Sequence, residues 1–132
     1  MLRKLSLASS RRKEMIDITA SVMDAVEHSS FGEGSCHVYC PHTTAGIVVN
    51  EGADPDVRTD LMEALERLAP ADGSYAHREG NADAHIQSAL TGAGVLLPVD
   101  GGRLVLGTWQ KVFFCEFDGP RRREVWIRLL KA

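Results

Sequence analysis

The chain has 132 residues, with 15 Lys and Arg against 18 Asp and Glu, for a formal net charge of −3. That length suits one domain over residues 1–132 and excludes a (β/α)8 barrel, which needs about 200 residues or more. A hydrophobic fraction of 44% supports a packed core, a charged fraction of 25% argues against global disorder, and no apolar run approaches the ~18–20 residues of a membrane span.

The opening stretch, MLRKLSLASSRRKEM, is basic but has no apolar h-region. No signal peptide is expected, and the expected compartment is the cytoplasm. The mild negative charge does not point to nucleic acid. Two basic runs, Arg11–Lys13 and Arg121–Arg123, lack interleaved aromatics and read as solvated turns, with phosphate binding as the alternative. Cys36, Cys40 and Cys115 form no disulfide framework and read as half-buried thiols.

In chain order, Leu2–Leu7 alternates as a strand, and Glu14–Ile18 places Ile16 and Ile18 on one face. Thr19 is placed to cap a helix through His28, with Val22, Met23 and Val26 inward. Cys36–Cys40 reads as a strand with Cys36, Val38 and Cys40 on one side and His37 and Tyr39 on the other. Ile47–Asn50 reads as a buried strand. Asp54-Pro55 is a strong helix start, and Val57, Leu61, Leu65 and Leu68 recur at helical spacing up to Pro70. Asn81 is placed to cap a helix from Ala82 to Leu90 with Ile86 and Leu90 on its apolar face, and Gly92 stops it. The rest reads as β: Val95–Val99, a turn at Asp100–Gly102, Leu104–Gly107, Trp109–Phe117, a turn at Asp118–Pro120, and a last strand carrying Val125, Ile127 and Leu129. The sum is an α+β domain with mainly antiparallel sheets packed with about three helices.

Polar residues concentrate in two stretches, Pro41 to Asp56 and His77 to Leu90. His42 is a candidate acid–base group or metal ligand, or only caps a turn. His77 and His85 bracket Asn81 and Asp83, and His85 lies one helical turn beyond Asn81. Glu51, Asp54 and Asp56 crowd one loop-to-helix junction, where capping accounts for Asp54 but not for Glu51. Glu116 shares a strand face with Val112 and Phe114, so it needs a partner, a function, or an edge position facing water. Trp109 and Gln110 point to opposite faces of a regular strand, so one can pack while the other faces a ligand, and core packing of Trp109 is the plainer expectation.

Three motifs, HTTAGIVVNEGADPDV, H-x-EGNADAHIQSAL and GTWQ-x-V-x-F-x-EFDGPR, occur in order from Pro41 onward. On these residues the sequence closely resembles the YjbQ-like family, over roughly Leu5 to Leu129. The resemblance implies an α+β homotrimer associated with a secondary thiamine-phosphate synthase activity, on a fold unrelated to the barrel enzyme that usually performs that reaction. Carried over by motif, the site residues are His42, Thr43, Thr44, Asn50, Glu51 and Asp54; then His77, Gly80, Asn81, Asp83 and His85; then Gly107, Thr108, Trp109 and Gln110.

The expected reaction joins a hydroxymethylpyrimidine diphosphate to a thiazole phosphate. Catalysis then rests on neutralising the departing diphosphate. His42, His77, His85 and Glu51 are the expected catalytic residues. Mg²⁺ on Glu51, Asp54 and Asp83 is expected. Thr43, Thr44, Asn50, Gly80, Asn81, Trp109, Gln110, Lys111 and Arg121 are expected to bind the phosphorylated substrate. Two alternatives stay open. One is a metal-dependent hydrolase with zinc or another transition metal on His42, His77 and His85. The other is a non-catalytic trimer that binds a small ligand.

Overall fold

A computed structural model of the chain describes residues 2–132. The element order is β1 (Leu2–Ala8), β2 (Glu14–Asp17), α1 (Thr19–Glu27), β3 (Gly34–Tyr39), β4 (Ala45–Glu51), α2 (Pro55–Leu68), α3 (Ala82–Thr91), β5 (Gly94–Asp100), β6 (Arg103–Leu104), β7 (Gln110–Glu116) and β8 (Arg122–Lys131). The strands form two antiparallel sheets, one in the order β1-β8-β3-β5-β6 and one in the order β2-β7-β4.

The larger sheet turns Val38, Val125 and Ile127 toward Ile47, Val112 and Phe114 of the smaller one, and α1 adds Val22 and Val26 to the same layer. The opposite face of β7 carries Phe113 and Cys115, which pack with Met15, Leu65 and Ala84 beneath α2 and α3. β7 is therefore buried on both faces from Val112 to Glu116, which explains why its sequence does not alternate. All three cysteines are fully buried rather than half-buried. Burial pushes the Cys36 thiol up to about 11 and that of Cys115 up to about 12.

Several local expectations are corrected by packing. Thr19 is the first helical residue of α1 rather than its cap: the Asp17 carboxylate accepts its N–H at 2.9 Å. The Thr19 hydroxyl accepts from Val112 N at 2.8 Å and donates to Val112 O at 3.4 Å, which ties α1 to β7. Asp54 does cap α2, accepting from Asp56 N. Leu68 at the end of α2 is 71% exposed while Ala69 is buried. Leu68 and Ala69 fall on opposite sides of Leu65 within one stripe, and the core meets only the Ala69 side. In α3 the expected apolar face is turned outward: Ile86 and Leu90 are exposed, and Asp83, Ala84 and Gln87 are buried. Gln87 Nε2 donates to the carbonyls of Leu65 and Ala69, which serves the last turn of α2. The strand expected over Leu104–Gly107 shortens to Arg103–Leu104, because Gln110 N and side-chain Oε1 both bond Gly107 and close a turn.

The two sheets are linked by an ion pair. Glu116 ends β7 on the inter-sheet face, fully buried, and Arg123 of β8 meets it with two nitrogens. This corrects the water-facing option for Glu116 and, for Arg123, the solvated-turn reading; Arg121 and Arg122 are exposed. Removing one partner strands a buried charge at a cost of about 3–5 kcal/mol, whereas replacing both with apolar groups costs far less. Arg123→Ala is therefore expected to lose about that much in urea unfolding, and Arg123→Met with Glu116→Leu much less. Equal losses in the two variants would refute this account of the pair.

Candidate functional site

At the Ala45 end of the β4–β7 ladder, the first two polar stretches meet. His42 lies beyond β3, edge-on to Phe114 at 6.5 Å, and its Nε2 accepts from Glu124 N at 2.9 Å. A backbone N–H only donates, so this nitrogen carries no proton and the ring is the neutral Nδ1–H form. Burial and then the Arg123 charge hold the His42 pKa below the usual histidine value.

His85 of α3 sits across from the same loop. Its Nδ1 is 3.1 Å from the Thr43 carbonyl, which only accepts, so Nδ1 carries the proton and Nε2 is left for other work. His77 stands beside it, with ring centroids 5.2 Å apart in an edge-to-face arrangement. Thr43 and His77 are exposed and His85 half-buried, so these three line the surface. Gly80, nearby in sequence, has φ +84 with open space around its Cβ position; the turn needs glycine for its backbone and not for lack of room.

Other residues of the same motifs face inward. Thr44 is buried, and its hydroxyl accepts from Arg123 Nη2 at 2.9 Å. Asp83 is buried; both its oxygens accept from Arg12, at 3.1 and 3.2 Å, and Lys13 reaches it at 2.5 Å. Burial raises the Asp83 pKa, but the hydrogen bonds from Arg12 and Lys13 outweigh it and hold the carboxyl at about 2. Asp83 therefore serves two cations of its own chain and is not free for Mg²⁺. Lys13 also binds Glu66 and Gln87, so Arg12 and Lys13 are a structural clamp rather than part of a solvated turn, while Arg11 is exposed. Asn81 Nδ2 donates to Asp118 at 2.9 Å instead of capping α3, and its buried Oδ1 has no partner among the described residues. Arg121 is occupied with Asp118 through its side chain. Glu116 has its acidity raised by this framework: burial alone favours the neutral acid, and Arg123, Ser9 and the Asp118 N–H together reverse that.

The remaining candidates lie at the other end of the ladder. Ala45 pairs with Glu116, whereas Glu51 pairs with Gln110, six residues along β4. At the rise of a β-strand this separates the two groups by about 20 Å. Here the Glu51 carboxylate accepts from Asp54 N at 3.0 Å, Gly52 N donates to Trp109 O, and Asn50 Oδ1 accepts from Glu51 N. Trp109 is 64% exposed, which corrects its expected place in the core. Gln110 and Lys111 are exposed too, and the Lys111 stem lies against Gly52.

As to metals, the residues fit only in part. His42 commits Nε2 to Glu124, so the expected His42–His77–His85 ligand set does not form, and among the described residues no three His, Cys, Asp or Glu side chains gather to hold an ion. The Glu51 and Asp54 carboxylates already accept from Asp54 N and Asp56 N; the lone pairs left over would suit a hydrated Mg²⁺ brought in on phosphate oxygens. The residues missed by sequence reasoning are Arg12, Lys13 and Arg123. Their only signal was an inward-facing carboxylate that needed a cation.

Two acid transitions follow. Because the folded His42 pKa lies below the unfolded 6.5, the unfolded chain binds the proton more readily. Stability falls as pH drops below about 6.5, and His42→Gln, which keeps an acceptor for Glu124 N, flattens that slope in urea titrations between pH 7.5 and 5. The Asp83 contribution is present above 3.8 and lost as pH falls toward 2, so Asp83→Asn begins less stable at neutral pH and loses less over that window.

Among the described residues no helix is long and apolar enough to cross a membrane. Residues 3–132 match the model of the family described as UPF0047 protein YjbQ-like. A UPF0047 protein of Methanocaldococcus jannaschii is 44% identical over 130 residues, covering 98% of this chain and 94% of that protein. The UPF0047 protein YugU of Bacillus subtilis is 44% identical over 131 residues, covering 98% and 99%. In structure, an uncharacterized YjbQ/UPF0047 protein of Clostridium acetobutylicum matches with a TM-score of 0.94 and 45% identity, over 97% of this chain and 99% of that one. A hypothetical protein of Aeropyrum pernix K1 matches with a TM-score of 0.95 and 36% identity, over 100% and 99%. This chain is a member of the YjbQ/UPF0047 family.

Proposed function

We propose that this protein is a secondary thiamine-phosphate synthase acting on phosphorylated small molecules, with the cytoplasm as its setting. The thiazole nitrogen lone pair forms a bond to the methylene carbon of the hydroxymethylpyrimidine. The carbon–oxygen bond to diphosphate breaks, and its electron pair leaves on the diphosphate. The task for the protein is to stabilise charge on that leaving group.

The observation that carries the reading is His85, fixed through Nδ1 on the Thr43 carbonyl and standing against His77. That arrangement aims Nε2 of His85 at a departing phosphate oxygen, to which it donates when the ring is the imidazolium with both nitrogens protonated. The Thr43 hydroxyl and the amides around Gly80 supply further donors. His42, neutral and bonded to Glu124, acts by fixing the loop that carries Thr43. Mg²⁺, held by Glu51 and Asp54, would supply charge neutralisation on the phosphates.

Glu51, Trp109, Gln110 and Lys111 lie about 20 Å along the sheet from His85 in the same chain. A homotrimer, closed by repeating one head-to-tail contact, would let a neighbour's Trp109 end complete the His85 end. Mixing His85→Ala with Trp109→Ala then restores part of the activity, since some mixed assemblies contain one intact composite site. The His77–His85 pair also favours a second reading, a metal-dependent hydrolase with its metal between the imidazoles.

The deciding measurement is thiamine phosphate formation by purified protein with both substrates and Mg²⁺. The expected result is product from the native chain and a loss of about 10²–10⁴-fold in His85→Ala. Unchanged turnover in that variant would remove His85 from the chemistry. Absence of product, with stoichiometric transition metal that vanishes in His77→Ala and His85→Ala, would favour the hydrolase. Absence of both would leave a non-catalytic ligand-binding protein.

A further inference from the structure

Strands β1 and β8 outrun α1. Inward-facing positions on β8 run Arg123, Val125, Ile127, Leu129 and Lys131, and those on β1 run Leu7, Leu5 and Arg3. Over most of this length the inward side chains are covered by α1 and the second sheet. α1 ends at Glu27, and past it the inner face of the larger sheet opens into a cleft of about 430 Å³.

The floor of the cleft is apolar: Ala25, Phe31, Ile127 and Leu129. Its rim is basic. Arg3 and Lys131 stand at inward-facing positions, where strand periodicity calls for apolar residues, and the His28 imidazole stands opposite with Nδ1 on Asp24 O. Arg12, Lys13, Arg121 and Arg123 all pair with carboxylates. Arg3 and Lys131 pair with none among the described residues, and no acidic residue lines the cleft. Among the described residues the Arg3 side chain makes one hydrogen bond, a long one to Ala25 O at 3.5 Å. Arg3 pairs in register with Ile127, so it and Lys131 stand four β8 residues, about 13 Å, apart along an apolar trough. Such a trough with an uncompensated cation toward each end is complementary to a molecule with an apolar body and an anionic end.

We propose that this cleft binds a linear amphiphilic carboxylate of medium chain length, its chain on Phe31, Ile127 and Leu129 and its carboxylate on the cations that flank them, Arg3 and Lys131. The volume lies within the usual range for small-molecule sites of roughly 300–1,000 Å³. The site is separate from the histidine pair: Glu124, which bonds His42, is seven strand residues from Lys131, or about 23 Å. Its occupancy does not depend on the synthase reading.

The test is backbone-amide NMR titration of the full chain with hexanoate, octanoate, decanoate and octan-1-ol, all below their micellar concentrations. Shifts are expected to cluster on residues 25–31 and 127–131. Affinity should rise about fifteenfold for each two methylenes added until the cleft is full. Octanoate should bind about tenfold or more tighter than octan-1-ol, and Arg3→Gln with Lys131→Gln should erase that preference. Both side chains are exposed, so the double variant is expected to keep the native spectrum. Leu129→Gln should weaken the carboxylate and the alcohol alike. Three results would each overturn the proposal: no saturable binding at millimolar ligand, shifts scattered over the surface, or an undiminished octanoate preference in the folded double variant.

Discussion

The buried Glu116–Arg123 pair is the interaction on which the rest of the molecule depends. It spans the two sheets at one end of the sandwich, and both residues are almost wholly removed from water. A charge placed there is tolerated only if every remaining hydrogen-bonding position is filled. Ser9 donates to Glu116, the Asp118 N–H donates to it, and Arg123 donates to the hydroxyl and carbonyl of Thr44. Each of these partners belongs to a different connection between strands. Satisfying one ion pair therefore fixes the loops after β1, before β4 and after β7.

From Asp118 the order passes on to Asn81 and Arg121, and Arg12 lies between Asp118 and Asp83. Lys13 then links Asp83 to Glu66 and Gln87, which joins α3 to α2. This chain of contacts explains the odd amphipathicity of α3. Its inward face is polar because it faces bound cations and the last carbonyls of α2, and its apolar residues are displaced outward. Networks of this kind lock geometry when complete. Here they hold the loop that carries Thr43 opposite the helix that carries His85.

The motifs thus divide by role. Thr44, Asn81 and Asp83 hold the framework, whereas Thr43, His77 and His85 face outward at one end of the β4–β7 ladder. Glu51, Trp109 and Gln110 face outward at the other. Motif residues that look equivalent in the sequence are therefore not equivalent in chemistry. The separation along one strand pair also makes a site built from both ends a question of assembly and not of folding.

Several things were legible in the sequence alone. Periodicity marked most of the strands, Asp54-Pro55 marked the start of α2, and Gly92 marked the end of α3, because these signals act over a few residues. The run of three motifs was enough to name the family. Glu116 among apolar neighbours was visible as a residue in need of a partner, but the identity of that partner was not. Arg123, Arg12 and Lys13 sit in ordinary charge runs, and only the antiparallel pairing of distant strands turns them inward. The exposure of Trp109 and Leu68, the inverted face of α3 and the neutral ring of His42 were likewise decided by tertiary contacts. Local spacing sets which residues share a face; which face meets a cation, an apolar sheet or water depends on what the rest of the chain brings against it.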